Sequence, residues 1–470
     1  MLNYQNKAYQ QDKSRHACIA FGLVVIAALF STAVGASETR DLVIRPGLSD
    51  PRAIFCVIIF ILSYLFVMTE EATQLRKSKP VMLGAGIIWA VIGYAAPEYG
   101  VSHEQLKSAI SHDLDEYSSL FLFLFAAMTY IAALEGTKVF ATLRSWLVSK
   151  GFTYRVLFWV TGIIAFFLSA IADNLTTALV MGAVILALGS DNPRFVAIGM
   201  VNVVSAANAG GAFSPFGDIT TLMVWQSGRV EFFEFFALFL PSVSTYLVPA
   251  IIMSFFVPAA APPPMQERIQ MERGAKRAIV LGILTIAMAV SFEQFFGLPP
   301  FMGMMTGMSL LMFLAYYLRL TRTEDEPEYN IFNAIKTVEW DTLLFFFGVM
   351  FSVGGLAFIG YLELASNTLY GDLGATGANV MLGAVSAIID NIPVMFSILS
   401  MGPEMNHFQW LLVTLTCGVG GTLLSVGSAA GVALMGTSKG QYTFMSHLKW
   451  TPVLALGYVA GIGTHFLVNG

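Results

Sequence analysis

The sequence predicts an all-α polytopic membrane protein, an inverted repeat with two re-entrant hairpins and two broken transmembrane helices. Three observations carry that prediction. Of the 470 residues 56% are hydrophobic and only 12% charged, against about 25% charged in an average soluble domain. Apolar runs near the ~20 residues that cross a bilayer recur at about 53–72, 80–97, 117–136, 232–257, 275–297, 301–320, 340–360 and 451–468. Three short motifs also occur twice, in the same order, in the two halves of the chain.

Residues 1–36 carry Lys7, Lys13 and Arg15, then the apolar ACIAFGLVVIAALF, then small residues at Gly35 and Ala36. That layout reads as a secretory signal peptide cleaved after Ala36, or else as an uncleaved first helix at 17–36. Orientation follows from the basic residues. With the leader, 73–79, 138–155, Arg194, 259–277, 319–339 and 438–449 in the cytoplasm, only Arg40, Arg45, Arg52, Lys107 and Arg229 of the 25 Lys and Arg lie outside. The expectation is a multi-pass protein of the bacterial inner membrane with its C-terminus outside. The segment 103–116, with His103, His112, Asp113, Asp115 and Glu116, then reads as a solvated external loop.

The repeat sets the organisation. Ser169 to Asn174 matches Ser386 to Asn391, LFLFLFAAMTY (120–130) resembles TLLFFFGVMFS (342–352), and NAGGAFSPFGD (208–218) resembles GVGGTLLSVGS (418–428). The halves are 53–257 and 275–468, with hairpins at about 156–189 and 374–402 and broken helices at about 195–226 and 408–437. After Asn391 about a dozen apolar residues precede Pro403 and Glu404, too few to cross, so the second segment turns back. The first hairpin opens to the cytoplasm and the second to the outside. Such inverted halves let one central site face either side.

A charge at bilayer depth costs at least ~2.5 kcal/mol, which makes an intramembrane aspartate a functional candidate. Asp173, Asn174, Thr176 and Thr177 supply carboxylate, amide and hydroxyl oxygens at the first tip, and Asp390 and Asn391 do so at the second. Gly210 and Gly211 with Ser214, Pro215 and Gly217, and Gly420 and Gly421 with Gly427, break helices that would otherwise span and free their carbonyls. Ser425 and Ser428 are available from the second break, and Asn208, Thr220 and Thr221 are further oxygens near the first. Asp218 is either a third carboxylate or a cap. Glu135, near a helix end, reads as interfacial. Hard cations take oxygen ligands, so Na+ is assigned to Asp173, Asn174, Asp390 and Asn391. A carboxylate out of water holds a proton or a metal ion, and the two compete for the same oxygens. The plainer reading is that each Asp-Asn pair caps a helix.

Other classes find little here. No HExxH motif occurs, the cysteines Cys18, Cys56 and Cys417 lack redox or metal spacing, and nothing suggests nucleic acid or a cofactor. A net positive pocket would favour the alternative of a Na+-coupled carboxylate or oxyanion transporter on the same scaffold, and the expectation is that no Lys or Arg lies near either tip.

With tips and breaks located, residues 50–470 resemble an NhaD-type sodium/proton antiporter of the ion transporter superfamily. The resemblance rests on ADNLTTALVMGAV, NAGGAFSPFGDITT, DNIPVMFSIL and GVGGTLLSVGSAAG. Related divalent-anion/sodium symporters carry Ser-Asn-Thr at the tips and a Gly-Gly…Thr-Pro-x-Gly break. Here Asp173-Asn174 and Asp390-Asn391 stand at the Ser-Asn positions, where aspartates would repel a dicarboxylate. Ser214-Pro215-Phe216-Gly217 stands at the first break, and the second lacks the Pro. The resemblance implies a homodimer with a scaffold domain and a moving transport domain. It also implies export of Na+ or Li+ driven by H+ entry, most useful at alkaline pH.

Overall fold

Several helices in this chain begin on a side-chain cap that the sequence places just ahead of the helix. The computed structural model describes residues 50–73, 75–189, 191–262, 269–323 and 330–470, so the leader at 1–36 lies outside the described residues. Asp50 accepts the Arg52 N–H ahead of α1 (Pro51–Met68). A short helix, Glu70–Thr73, leads to α2 (Ser78–Ala95). Ser102 and Gln105 form a capping box that starts α3 (His103–Gly136), and α4 (Val139–Ser149) follows. Thr153 caps α5 (Tyr154–Ala172), which meets α6 (Asn174–Gly189) at Asp173. Asn192 caps α7 (Pro193–Gly211), and after a break comes α8 (Ile219–Gln226). A 3-10 segment, Phe232–Leu238, runs into α9 (Phe239–Ser254).

The second half of the chain follows. It comprises α10 (Ala275–Phe296), α11 (Pro300–Leu320), α12 (Trp340–Phe358), α13 (Tyr361–Val385), α14 (Asn391–Met401), α15 (His407–Gly420), α16 (Ala429–Thr437) and α17 (Thr451–Asn469). α13 is two helices, because Gly374 sits at φ 66° and ψ 164° inside it. Among the described residues nine helices are long and apolar enough to cross a membrane. The chain is therefore a multi-pass, all-helical membrane protein, and no strand occurs among the described residues.

Two sequence expectations need correction. The segment 103–116 is not a loop: it is the first part of α3, a continuous helix of 34 residues. The Ser102–Gln105 capping box starts that helix about two fifths of its length before the apolar run begins, and Asp113 within it is buried. Nor are the basic residues all remote from the tips, since Lys77 lies beside Asp390.

Packing interleaves the halves. α2 lies against α12, while α3 lies against α11, and α9 packs along α17. α5 and α6 pack on α7, and α13 packs on α15. α7 is buried almost from end to end, Phe195 to Gly211, as a helix apolar on all sides should be. By contrast α10 buries only Ala275, Ala278, Thr285 and Ala289 and turns Phe295 and Phe296 outward.

Candidate functional site

The site lies where the two Asp-Asn tips meet the two helix breaks. Glycine makes that approach possible. A Cβ on Gly210 would run into the Phe166 carbonyl and one on Gly420 into the Gly383 carbonyl. A Cβ on Gly211 would stand 2.6 Å from Gly217 O, and one on Gly421 2.5 Å from Gly427 O. Ser169 Oγ donates to Ala207 O at 2.6 Å and Ser386 Oγ to Cys417 O at 3.2 Å, fastening each hairpin to its broken helix.

Asp173 sits between α5 and α6 at φ 57° and ψ 161°, a backbone region almost restricted to glycine. Its Oδ1 accepts Thr176 N at 2.8 Å and its Oδ2 accepts Thr176 Oγ1 at 2.9 Å, so Asp173 caps α6. Asp390 precedes α14 but makes no such cap. Its Oδ1 is buried without a hydrogen-bond partner, and its Oδ2 lies 3.7 Å from Lys77 Nζ. The two tips, alike in sequence, are chemically different.

Asp218 is both things the sequence allows. Its Oδ1 accepts Thr220 N at 3.2 Å, capping α8. Its Oδ2 accepts Asn174 Nδ2 at 3.0 Å and Asn391 Nδ2 at 2.9 Å, and so joins both tips. Asn174 Nδ2 also donates to Asn208 Oδ1 at 3.2 Å. Asn208 Nδ2 then reaches Thr422 Oγ1 and Ser428 Oγ of the second break, each at 3.1 Å. Because both tip asparagines point their nitrogens at Asp218, their Oδ1 atoms are left as acceptors. No hydrogen bond among the described residues uses either of them.

Other predicted residues stand further back. Thr221 Oγ1 donates to Ser214 O at 2.8 Å and holds the first break. Thr177 and Thr220 are buried, with hydroxyls that have no partner. Ser425 Oγ faces Met435 Sδ at 3.2 Å and lies outside the cavity lining. Ser428 caps α16 through Gly431 N at 3.3 Å, the place that Asp218 holds ahead of α8. Pro215 lies within the break between α7 and α8.

A cavity of about 960 Å3 opens onto this network. Asp173, Asn174, Thr176, Pro215, Asp218, Asp390, Asn391 and Ser428 line its inner end. Towards the loops it is lined by Glu70, Arg76, Lys77, Glu135, Glu339 and Asp341. The expectation that no basic residue approaches the tips is thus corrected: Lys77 comes in from the α1–α2 connector, which no local motif could reveal. Thr422 was also missed, although a hydroxyl directly after Gly420 and Gly421 was a visible signal. Among the described residues no three of His, Cys, Asp and Glu come together as a metal-ligand group.

A polytopic helical membrane protein with a largely apolar cavity that carries several carboxylates and reaches two helix breaks has the build of a small-ion or small-molecule carrier. Residues 53–418 match the family model described as citrate transporter, CitMHS. The chain is 53% identical over 435 residues to a Na(+)/H(+) antiporter NhaD from Vibrio cholerae, covering 88% of this chain and 91% of that one. It is 49% identical to a Na(+)/H(+) antiporter NhaD from Halomonas elongata, covering 97% and 96%. It is 32% identical to sodium/proton antiporter 1 of Arabidopsis thaliana, covering 88% and 72%. The chain belongs to the citrate transporter (CitMHS) family and, within these relatives, to the NhaD group of Na(+)/H(+) antiporters.

Proposed function

We propose that the chain exchanges cytoplasmic Na+ or Li+ for external H+, with Asp173, Asp390 and Asp218 as the exchanging carboxylates. One observation carries the reading. Where the tips meet the first break, the cavity holds Asp173, Asp218 and Asp390 with two asparagines whose nitrogens are already engaged by Asp218, so the groups that these five residues leave to meet a ligand are oxygens. Oxygen ligands suit a hard cation, and each carboxylate takes a proton when the cation leaves. Asn174, Asn391, Thr176 and the freed carbonyls of the breaks complete the proposed shell, and no cofactor takes part.

The halves 53–257 and 275–468 act as inverted repeats in this reading. The recurring contacts of Gly210 with Phe166 and of Gly420 with Gly383 support it. So does α14: its 11 residues rise about 16 Å, half of the ~30 Å hydrocarbon core, as a re-entrant arm would. Arg76, Lys77, Thr337, Val338 and Glu339 line the cavity, in the segments 73–79 and 319–339 that the basic-residue count assigns to the cytoplasm of an inner-membrane protein with its C-terminus outside. The working unit is a homodimer with a fixed scaffold and a moving domain that carries both tips.

The test uses purified protein in proteoliposomes with an acid interior. Added Na+ or Li+ should dissipate the pH gradient, and Asp173→Asn or Asp390→Asn should abolish this. A second reading, carboxylate transport, draws on the family description and on Lys77 beside the second tip. Uptake of labelled citrate or succinate driven by a Na+ gradient, with no cation-dependent proton release, would replace antiport by that reading.

A further inference from the structure

Asp390 is the site carboxylate with the emptiest surroundings. Both oxygens of Asp173 are taken up by Thr176, and those of Asp218 by Thr220 and the two asparagines. Asp390 has only Lys77, at 3.7 Å from one oxygen, and its other oxygen is buried without a partner. The pair is largely out of water, with side-chain exposures of 17% for Lys77 and 16% for Asp390. At that distance the ammonium supplies charge without a hydrogen bond. Its other neighbours are the Glu70 carboxylate, which its charge also faces, and the face of the buried Phe345 ring, 4.6 Å from Nζ to the centroid. The lysine thus neutralises Asp390 from a loose position and has a second place to rest.

We propose that Lys77 is a tethered cation that holds Asp390 while no Na+ is bound and competes with Na+ for it. This rests on the exchange reading above. Two unit charges attract in inverse proportion to their distance, so a small cation bound directly to the carboxylate oxygens outcompetes an ammonium that stands off from them. On displacement the lysine keeps its contact with Phe345. Since Lys77 belongs to the α1–α2 connector and Asp390 to the second tip, Na+ binding also unfastens that tip from the connector. Lys77 is in this account a specificity and positioning residue: it raises the Na+ concentration needed for exchange and keeps the empty carboxylate from standing alone.

The experiment compares wild type and Lys77→Gln in proteoliposomes at one fixed alkaline pH, following exchange against Na+ concentration. Loss of the internal competitor should lower the KM for Na+ by about fivefold, the scale of a half-buried ion pair. A merely structural role would lower kcat or leave KM alone, and an unchanged or raised KM overturns the proposal. Should Lys77→Gln not fold, reductive methylation of the wild-type protein decides, read at Lys77 by mass spectrometry. Lys77 should react faster in NaCl than in N-methylglucamine chloride, and equal rates overturn the proposal. If wild type shows no Na+-driven proton movement at all, the exchange reading itself has failed, and the tethered-cation proposal falls with it.

Discussion

Asn391 donates its Nδ2 to Asp218 Oδ2 at 2.9 Å, although the two lie 173 residues apart in sequence, and Asn174 donates to the same oxygen at 3.0 Å. Asp218 Oδ2 is therefore an acceptor that the two tips share. Removing one asparagine leaves that oxygen a donor; removing both strips a carboxylate that is 3% exposed. Asn174→Ala and Asn391→Ala should each lower thermal stability, and the double variant should lose about 1–3 kcal/mol more than their sum. Thermal unfolding of the four proteins in detergent gives the coupling, and strict additivity would mean that the asparagines do not share the acceptor.

Asp173 combines a cap with an unfavourable backbone. Its φ of 57° with ψ of 161° costs about 1–3 kcal/mol for any residue but glycine, and its carboxylate caps α6 through Thr176. Asp173→Gly removes both the cap and the strain, whereas Asp173→Ala removes the cap alone, a loss of about 0.5–2 kcal/mol. The Gly variant should unfold at a higher temperature than the Ala variant, while neither retains exchange. An Ala variant as stable as the Gly variant would show that the backbone there is relaxed.

The parts of this molecule that are local in sequence were the legible ones. Apolar runs matched seven of the nine long apolar helices among the described residues to within a few residues, while the run at 117–136 belongs to a helix that starts at His103 and Tyr154–Ala172 was read only as a hairpin arm. The Asp-Asn and Gly-Gly pairs marked the tips and breaks because each is chemically out of place in an apolar segment. What stayed hidden was what only folding brings together: Asp218 with two asparagines 44 and 173 residues away, and Lys77 with Asp390. The difference between the tips was hidden as well, since Asp-Asn followed by Leu-Thr-Thr caps its helix and Asp-Asn followed by Ile-Pro does not. The misread segment 103–116 shows the opposite failure, in which dense charge masked a helix whose capping box, Ser102 with Gln105, was written at its start.

The glycines at the breaks are the tightest points of the fold. Ala at Gly210 or Gly420 would press a methyl onto the Phe166 or Gly383 backbone, which cannot move as a side-chain end can. Each substitution should destabilise by about 1–3 kcal/mol and abolish transport. Gly86, inside α2 with open space where a Cβ would stand, is the control: Gly86→Ala should stabilise by about 0.5–1 kcal/mol. Unfolding temperatures in detergent separate the two classes, and a neutral Gly420→Ala would mean that the second tip sits further from its broken helix.

Access to the cavity gives the last prediction, because it tests orientation and site together. Val432, on α16, is only partly buried and lines the cavity that reaches Asp173 and Asp390. Cys56 and Cys417 are buried, so with Cys18 replaced by Ser they add little background to a thiol introduced there. An impermeant maleimide should label Val432→Cys in inside-out vesicles, where the lining residues Arg76, Lys77 and Glu339 face the reagent, and not in right-side-out vesicles. Labelling from the external side alone would place the mouth outside, reverse the orientation read from the basic residues, and turn the proposed direction of Na+ entry into the site around with it.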